Sequence, residues 1–269
     1  MQKIVLLTGA SGGLGTAIAE SLKDKGYKIY GTSRKDRTSD IYIPVQMDLT
    51  NEESIKNAVR FVIEKEGKID ILINNAGIGI TGSIEETDIN AVRKVFETNF
   101  FGMMRIIQEV LPYMREQKSG KIINISSIAG YTGLPYRGIY SATKSAVMRM
   151  TEALSAELKP FEITVVEVAP GDFKTQIAEG RIYTPLDEKS PYFEDYQRIL
   201  KMIDEEVEAG LEPVVLGKKI YKILNKKHPK LTYNIGIFMQ KIAPYLSTCL
   251  PGRFFEKLIV KHYKIKEKK

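Results

Sequence analysis

Ser127, Tyr140 and Lys144 lie within one short stretch, Asn124-Ile-Ser-Ser-Ile-Ala-Gly-Tyr-Thr-Gly-Leu-Pro-Tyr-Arg-Gly-Ile-Tyr140-Ser-Ala-Thr-Lys144. Tyr140 and Lys144 are four residues apart, so a helix sets them on one face. A free tyrosine has a pKa of about 10, too high for easy proton exchange at neutral pH. A nearby ammonium favours the phenolate and lowers that value. Ser127 closes an apolar, strand-like run and can aim its hydroxyl at the same point. The three supply a proton donor, a cation to tune it and a hydrogen-bond donor for a carbonyl oxygen. The Tyr-x-x-x-Lys pair alone is a weak signal. In a lysine-rich chain with 14 tyrosines, an amphipathic helix with a buried Tyr and a surface Lys looks the same.

Such a trio needs a scaffold, and the chain alternates strand-like and helical segments. Lys3 to Leu7 is a short apolar run closed by Thr8-Gly9, and residues 13 to 25 follow helical spacing. Lys28 to Thr32 and Ile43 to Met47 read as strands, and Glu52 to Glu66 as a helix. Ile69 to Ile73 is a buried strand ending in Asn74-Asn-Ala-Gly77. Residues 88 to 116 are helical, with a break near Asn99. Lys121 to Ile125 is a fifth strand, Gly138 to Leu158 a helix and Ile163 to Val168 a sixth strand. The alternation predicts one α/β domain over residues 1–269: a doubly wound, mostly parallel sheet with helices on both faces and right-handed crossovers. From 172 to 212 the pattern weakens, with several Tyr, Pro and Phe and then an acidic helix at Asp204 to Glu208. An interruption at the carboxyl end of a sheet suits a substrate lid, here over 172–215. Residues 237–269 form a basic C-terminal helical extension.

Bulk properties narrow the chemistry. Of 269 residues, 43% are hydrophobic and 27% charged, which is ordinary for a globular protein. No apolar run approaches the length of a membrane-spanning helix. The first residues read as a strand rather than a leader, which predicts a cytoplasmic protein. Cys249 is the single cysteine, and His228 and His262 are the two histidines, so neither an internal disulfide nor a metal site is expected. Carbonyl chemistry would need a metal-free proton relay. The net charge of +7 is uneven: residues 211 to 269 hold 14 Lys/Arg against 3 Asp/Glu, whereas residues 1 to 210 hold 26 against 30. The basic C-terminal quarter bears on partners, not on the fold.

The first turn, Thr8-Gly9-Ala-Ser11-Gly-Gly13-Leu14-Gly15, sits between a strand and a helix. Its glycines let backbone amides approach a pyrophosphate at the positive end of that helix. About twenty residues on, an NAD-binding chain would place an acid to hold the ribose 2′-hydroxyl. This chain has Ser33 followed by Arg34, Lys35 and Arg37. Such cations suit a 2′-phosphate, and the cofactor predicted is NADP(H).

Over residues 3 to 175 the chain resembles the short-chain dehydrogenase/reductase family. The nucleotide turn is Thr8 to Gly15. Asp48-Leu49 matches the pair placed near adenine, and Asn74-Asn75-Ala76-Gly77 the motif that ends the fourth strand and supports the cofactor. Asn99 matches the helix-breaking member of the family's active-site tetrad, and Ser127, Tyr140 and Lys144 the other three. Pro170-Gly171, with Phe173 and Thr175, matches the segment that binds the nicotinamide carboxamide. The resemblance implies hydride transfer between NADP(H) and a small apolar carbonyl or alcohol substrate, with Tyr140 as acid/base. It implies that Lys144 holds the nicotinamide ribose and that Asn99 anchors a water linking Lys144 to solvent. Gly133-Leu-Pro135 and His228 to Gly236 resemble the 17β-hydroxysteroid and retinol dehydrogenase branch, which implies a steroid-, retinoid- or lipid-like substrate. Two other readings are a non-catalytic NADP-binding sensor and another reaction of the same fold. The intact tetrad argues against the first, and the Tyr–Lys spacing and chain length against the second.

Helices at 98–116 and 138–158 carry apolar residues on more than one face, including Phe100, Phe101, Met103, Met104, Val147, Met148, Met150 and Leu154. The surplus predicts a homodimer or homotetramer. Near the end, Phe254-Phe255, Leu258-Ile259 and Tyr263 form an apolar stripe flanked by Lys257, Lys261, Lys264, Lys266, Lys268 and Lys269. Peripheral contact with an anionic membrane and a helix packed on the domain are both open readings of that stripe. No nucleic-acid motif is present, and no such partner is expected.

Overall fold

The computed structural model describes residues 2–175, 180–185 and 187–265; Lys266, Lys268 and Lys269 of the expected basic tail lie outside them. In chain order the elements are β1 (Lys3–Leu7), α1 (Gly13–Leu22), β2 (Tyr27–Ser33), β3 (Ile43–Gln46), α2 (Glu52–Glu66), β4 (Ile71–Asn74) and β5 (Ile80–Thr81). Next come α3 (Ile89–Phe96), α4 (Gly102–Glu116), β6 (Gly120–Ile125), α5 (Gly138–Glu157), β7 (Ile163–Pro170) and β8 (Ile182–Tyr183). The chain continues with α6 (Phe193–Glu208), α7 (Pro213–Leu224), β9 (Thr232–Ile235), α8 (Phe238–Cys249) and α9 (Gly252–His262).

Seven strands form one sheet in the order β3-β2-β1-β4-β6-β7-β9, and every pairing is parallel. Val5, Leu6 and Leu7 of β1 are fully buried, as are Leu72 and Ile73 of β4 and Ile122 and Ile123 of β6. Continuous apolar runs are what a sheet covered on both faces requires. On one face Ile18 and Leu22 of α1 pack with Leu216 and Ile220 of α7. On the other, α2, α4 and α5 bury Val59, Ile106, Val110 and Val147. The chain leaves β1 toward β2 and β3, then returns to β4 on the opposite side. The crevice at this switch point, outside the carboxyl ends of β1 and β4, is where open α/β sheets bind ligands.

Local chemistry sets the helix ends. Asn51 caps α2 through its side-chain oxygen, which accepts from Ser54 N at 2.9 Å; Glu52 and Glu53 occupy the first turn and Gly67 closes the helix at φ 71°. The helix expected over 13–25 stops at Leu22, because Asp24 and Gly26 both take positive φ in the turn to β2. The break expected near Asn99 is a π-helical turn, Glu97–Phe101, between α3 and α4. β3 is an edge strand containing Pro44.

Of the lid expected over 172–215, residues 176–179 and 186 lie outside the described residues; the rest is more regular than its sequence pattern suggests. β8 pairs in parallel with β5, Phe173 bridges to Leu211, and α6 extends well before the acidic stretch. α6 and α9 share a small core of Ile199, Ile203 and Tyr263, with Leu134, Tyr136 and Ile259 packed against it.

Candidate active site

Two elements present the chemistry. β6 ends at Ile125, and the next residues lead Ser127 into a short turn in which its oxygen accepts from Ala129 N at 3.2 Å. α5 starts at Gly138, so Tyr140 and Lys144 lie one turn apart on its inward face. Lys144 is 4% exposed, and its ammonium donates to Ile125 O at 3.1 Å. Lys144 Nζ stands 5.7 Å from the centre of the Tyr140 ring.

Burial dominates the electrostatics. It raises the pKa of Tyr140, while a hydrogen bond from Ser127 and the charge of Arg137 pull the other way. It pushes Lys144 down to about 8. Lys144, expected from the four-residue spacing to lower the Tyr140 pKa, stands near the ring, and Ser127 and Arg137 are the leading groups that favour the phenolate.

Asn99 is fully buried in the π-helical turn. Its oxygen accepts from Ile78 N at 2.8 Å, and its amide donates to Ile78 O at 2.9 Å and to Thr143 Oγ1 at 3.2 Å. The side chain therefore clamps the segment after β4 to α5. Gly77 lies between, with room for a Cβ only 3.3 Å from Asn99 Oδ1 and 3.4 Å from Lys144 Nζ.

The dinucleotide residues follow the carboxyl ends of β1 to β4. Gly9 has φ +65°, and a Cβ there would come within 2.9 Å of Ala76 Cα. Asn75 N and Ala76 N both donate to Thr8 Oγ1 at 3.0 Å, and Asn75 Nδ2 bonds the carbonyls of Thr8 and Gly9 at 3.1 Å. The motif after β4 is thereby stitched to the glycine turn, which carries Ser11, Gly13, Leu14 and Gly15. α1 begins without any side-chain cap, so its first N–H groups stay open to an anion. Arg34, Lys35 and Arg37 are exposed beyond β2, and among the described residues none of them forms an ion pair. Ser33 instead turns its hydroxyl onto Lys35 O at 2.5 Å. Asp48 Oδ1 is held by Thr50, and the Leu49 side chain is buried in the core with α4. An uncapped helix start, a side-chain-free turn and uncommitted cations fit a dinucleotide phosphate chain.

A cavity of about 610 Å³ joins the two sets. Leu14, Asn75, Gly77, Ser127, Tyr140, Lys144, Pro170, Gly171, Phe173 and Thr175 all face it, and Thr175 packs beside Gly13. Gly9, Ser11, Gly13, Gly15, Ser33, Arg34, Asp48, Leu49 and Ala76 do not line it, and Asn99 stands behind its wall. α6, α8 and α9 supply the roof, including Ile203, Ala243, Leu246, Phe255, Leu258 and Ile259. The sequence reading missed Arg137, Asp172, Arg181, Glu206 and Gln240, which also line the cavity. Arg137, three residues before Tyr140, was legible as a helix-face neighbour; the others are assembled only by the fold.

A family model described as short chain dehydrogenase matches residues 3–184. The chain belongs to the short-chain dehydrogenase family. It is an oxidoreductase with a Rossmann-type parallel sheet. A 3-ketodihydrosphingosine reductase from Bacteroides thetaiotaomicron is 41% identical to this short-chain dehydrogenase over 258 residues, covering 94% of this chain and 95% of that protein. A short chain dehydrogenase from Burkholderia cenocepacia in complex with NADP aligns with a TM-score of 0.74 at 25% identity, covering 99% of this chain and all of that one. A short chain dehydrogenase/reductase from Burkholderia phymatum in complex with NAD aligns with a TM-score of 0.80 at 24% identity over 96% and 95% of the two chains, a likeness of fold. Among the described residues, no helix of this short-chain dehydrogenase is long and apolar enough to cross a membrane.

Proposed function

We propose that this chain is an NADP(H)-dependent reductase of a ketone on a long-chain, lipid-like substrate. The observation that carries the reading is the opening of Ser127, Tyr140 and Lys144 into a large, mostly apolar cavity roofed by α6, α8 and α9. The 41% identity to a 3-ketodihydrosphingosine reductase supports a lipid substrate. The cations after β2 support NADP(H) over NAD(H), since a 2′-phosphate needs them and a bare ribose does not.

When bound, the dihydronicotinamide supplies a hydride to the carbonyl carbon. Ser127 donates a hydrogen bond to the carbonyl oxygen, and Tyr140 gives it the phenolic proton, completing the alcohol. Burial keeps Tyr140 protonated until then, so the acid waits loaded. The Arg137 charge steadies the phenolate that forms. Lys144 holds the ribose side of the cofactor and stays close to the Tyr140 ring. Asn99 fixes the wall behind them; its amide is already committed to Ile78 and Thr143.

Two associations complete the proposal. Met103, Val147 and Met148, counted toward the surplus apolar face, are instead buried in the core, but Phe101, at the end of the π-helical turn before α4, stays exposed, which favours a homodimer or homotetramer. Phe238, Met239, Tyr245 and Phe254 project from α8 and α9 beside Lys241, Arg253 and Lys257, which favours a cytoplasmic enzyme that touches an anionic membrane.

Tyr140→Phe tests the assignment, because the ring still packs and only the proton is lost. Turnover of 3-ketodihydrosphingosine with NADPH, followed at 340 nm, is expected to fall on the order of 10²–10⁴-fold with NADPH affinity unchanged. Turnover within tenfold of the parent would overturn it.

A further inference from the structure

One end of the cavity is polar, and the reduction chemistry does not use all of it. Arg137, Asp172, Arg181, Glu206 and His262 meet there. Most are already matched. Arg181 pairs with Asp204 at 2.8 Å. Arg137 faces Glu206 at 3.5 Å and donates to the Tyr263 hydroxyl. His262 bonds Glu206 at 3.0 Å. Asp172 is left with a neutral partner: among the described residues, its carboxylate accepts from Gln240 Nε2, at 2.5 Å.

The carboxylate is also fixed in place. Gln240 Oε1 takes the Asp172 N–H at 3.4 Å, so one amide grips both backbone and side chain. Asp172 O accepts from Leu211 N at 3.0 Å. Gly210 allows that approach, since a Cβ there would meet the Asp172 carbonyl at 2.6 Å. Asp172 follows the Pro170-Gly171 loop, and Pro170 O is the acceptor of Ser127 Oγ at 3.4 Å. Its charge is felt at the Tyr140 hydroxyl. The polar end therefore stands next to the point of proton transfer.

Among the described residues no cation is in direct contact with the Asp172 carboxylate: Arg137 and His262 are engaged by Glu206, and Arg181 by Asp204. A buried carboxylate without a full counter-charge is costly, and a cation delivered by the ligand relieves that cost. A neutral ligand leaves it in place.

We propose that Asp172, positioned by Gln240, binds a protonated amine on the carbon next to the ketone, so that the substrate class is a long-chain 2-amino ketone. The ammonium donates to the free lone pairs of the carboxylate. The carbonyl beside it then reaches Ser127 and Tyr140, and the alkyl chain runs along the apolar roof. This assignment rests on the reading of the site as a lipid ketone reductase, and it makes Asp172 the residue that selects the amine.

Asp172→Asn keeps the shape and an acceptor for Gln240 and removes the charge. Its KM for 3-ketodihydrosphingosine, whose amine adjoins the ketone, is expected to rise about 10–100-fold. Its KM for the same ketone chain lacking the amine should stay within about twofold of the parent. An equal change for both ketones, or no change for either, would overturn the proposal. Calorimetry on the NADP-loaded parent needs no variant and no turnover. Octadecylamine should bind at least about tenfold tighter than octadecanol, as one charge-assisted contact implies. Equal binding would remove Asp172 as an amine site. If the parent binds the amine selectively yet reduces neither ketone, the reductase reading fails while the amine site stands.

Discussion

Lys144 is the residue most at odds with its surroundings. It is nearly inaccessible, and burial pushes its pKa down to about 8 from an ordinary 10.5. At pH 7 the folded and unfolded chains both carry the charge, and only the folded one bears the cost of burying it. As the pH rises through about 8 the folded side chain loses its proton first; above 10.5 neither form is charged. The stability deficit is thus full below pH 8 and vanishes on the alkaline side. Lys144→Met is expected to be more stable than the parent by about 2–4 kcal/mol at pH 7 without added dinucleotide. That gap should close between pH 8 and 10.5. Urea midpoints at pH 7 and pH 10 measure it. A parent more stable than the variant at pH 7 would mean that the Ile125 hydrogen bond outweighs the desolvation. A destabilising lysine is sensible where its charge is used, and the proposed use is the ribose side of the dinucleotide.

At the scale of elements, the proposed preference for NADP(H) rests on the turn after β2. Arg34→Ala should weaken NADPH binding about tenfold or more and leave NADH nearly unchanged, because only the 2′-phosphate contact is lost. Fluorescence titration with both dinucleotides checks this, and equal weakening would place Arg34 elsewhere. β1, β4, β6 and β7 were legible in the sequence because a parallel sheet covered on both faces leaves unbroken apolar runs, as in Ile69 to Ile73. The glycine turn and Asn74 to Gly77 were legible because backbone approach restricts residue type there. β9 was not read as a strand: it is a half-exposed edge of mixed polarity, Thr232-Tyr-Asn-Ile235, with no run to see. β5 and β8 have two residues each and exist by pairing with one another. The apolar stripe at 254–263 left two readings open because it serves two surfaces: Tyr263 is 2% exposed in the core shared with α6, whereas Phe254 is 53% exposed. The polar end of the cavity could not be read, since residues 137, 172, 206 and 240 converge only when α5, α6 and α8 are folded together.

For the whole molecule, the same roof that encloses the cavity supplies its mouth: Ile237, Met239 and Leu258 line the cavity and are also exposed. A lipid chain leaving a bilayer would meet apolar side chains before it met water. Light scattering is expected to give the mass of a dimer or tetramer, and a stable monomer at micromolar concentration would count against pairing through α4 and α5. Added phosphatidylserine vesicles should take up the protein at low salt and release it as salt rises, since screening weakens lysine–lipid attraction. The sheet itself governs how copies of the chain meet in crowded solution. Its β3 edge faces outward, and Met47 N, which donates inward to Ser33 O, fixes the parity of that strand. By that alternation the outward donors would be residues 44 and 46, and Pro44 has no N–H to give. A foreign strand approaching this edge finds one donor where it needs two, so edge-to-edge pairing of sheets is disfavoured at this rim.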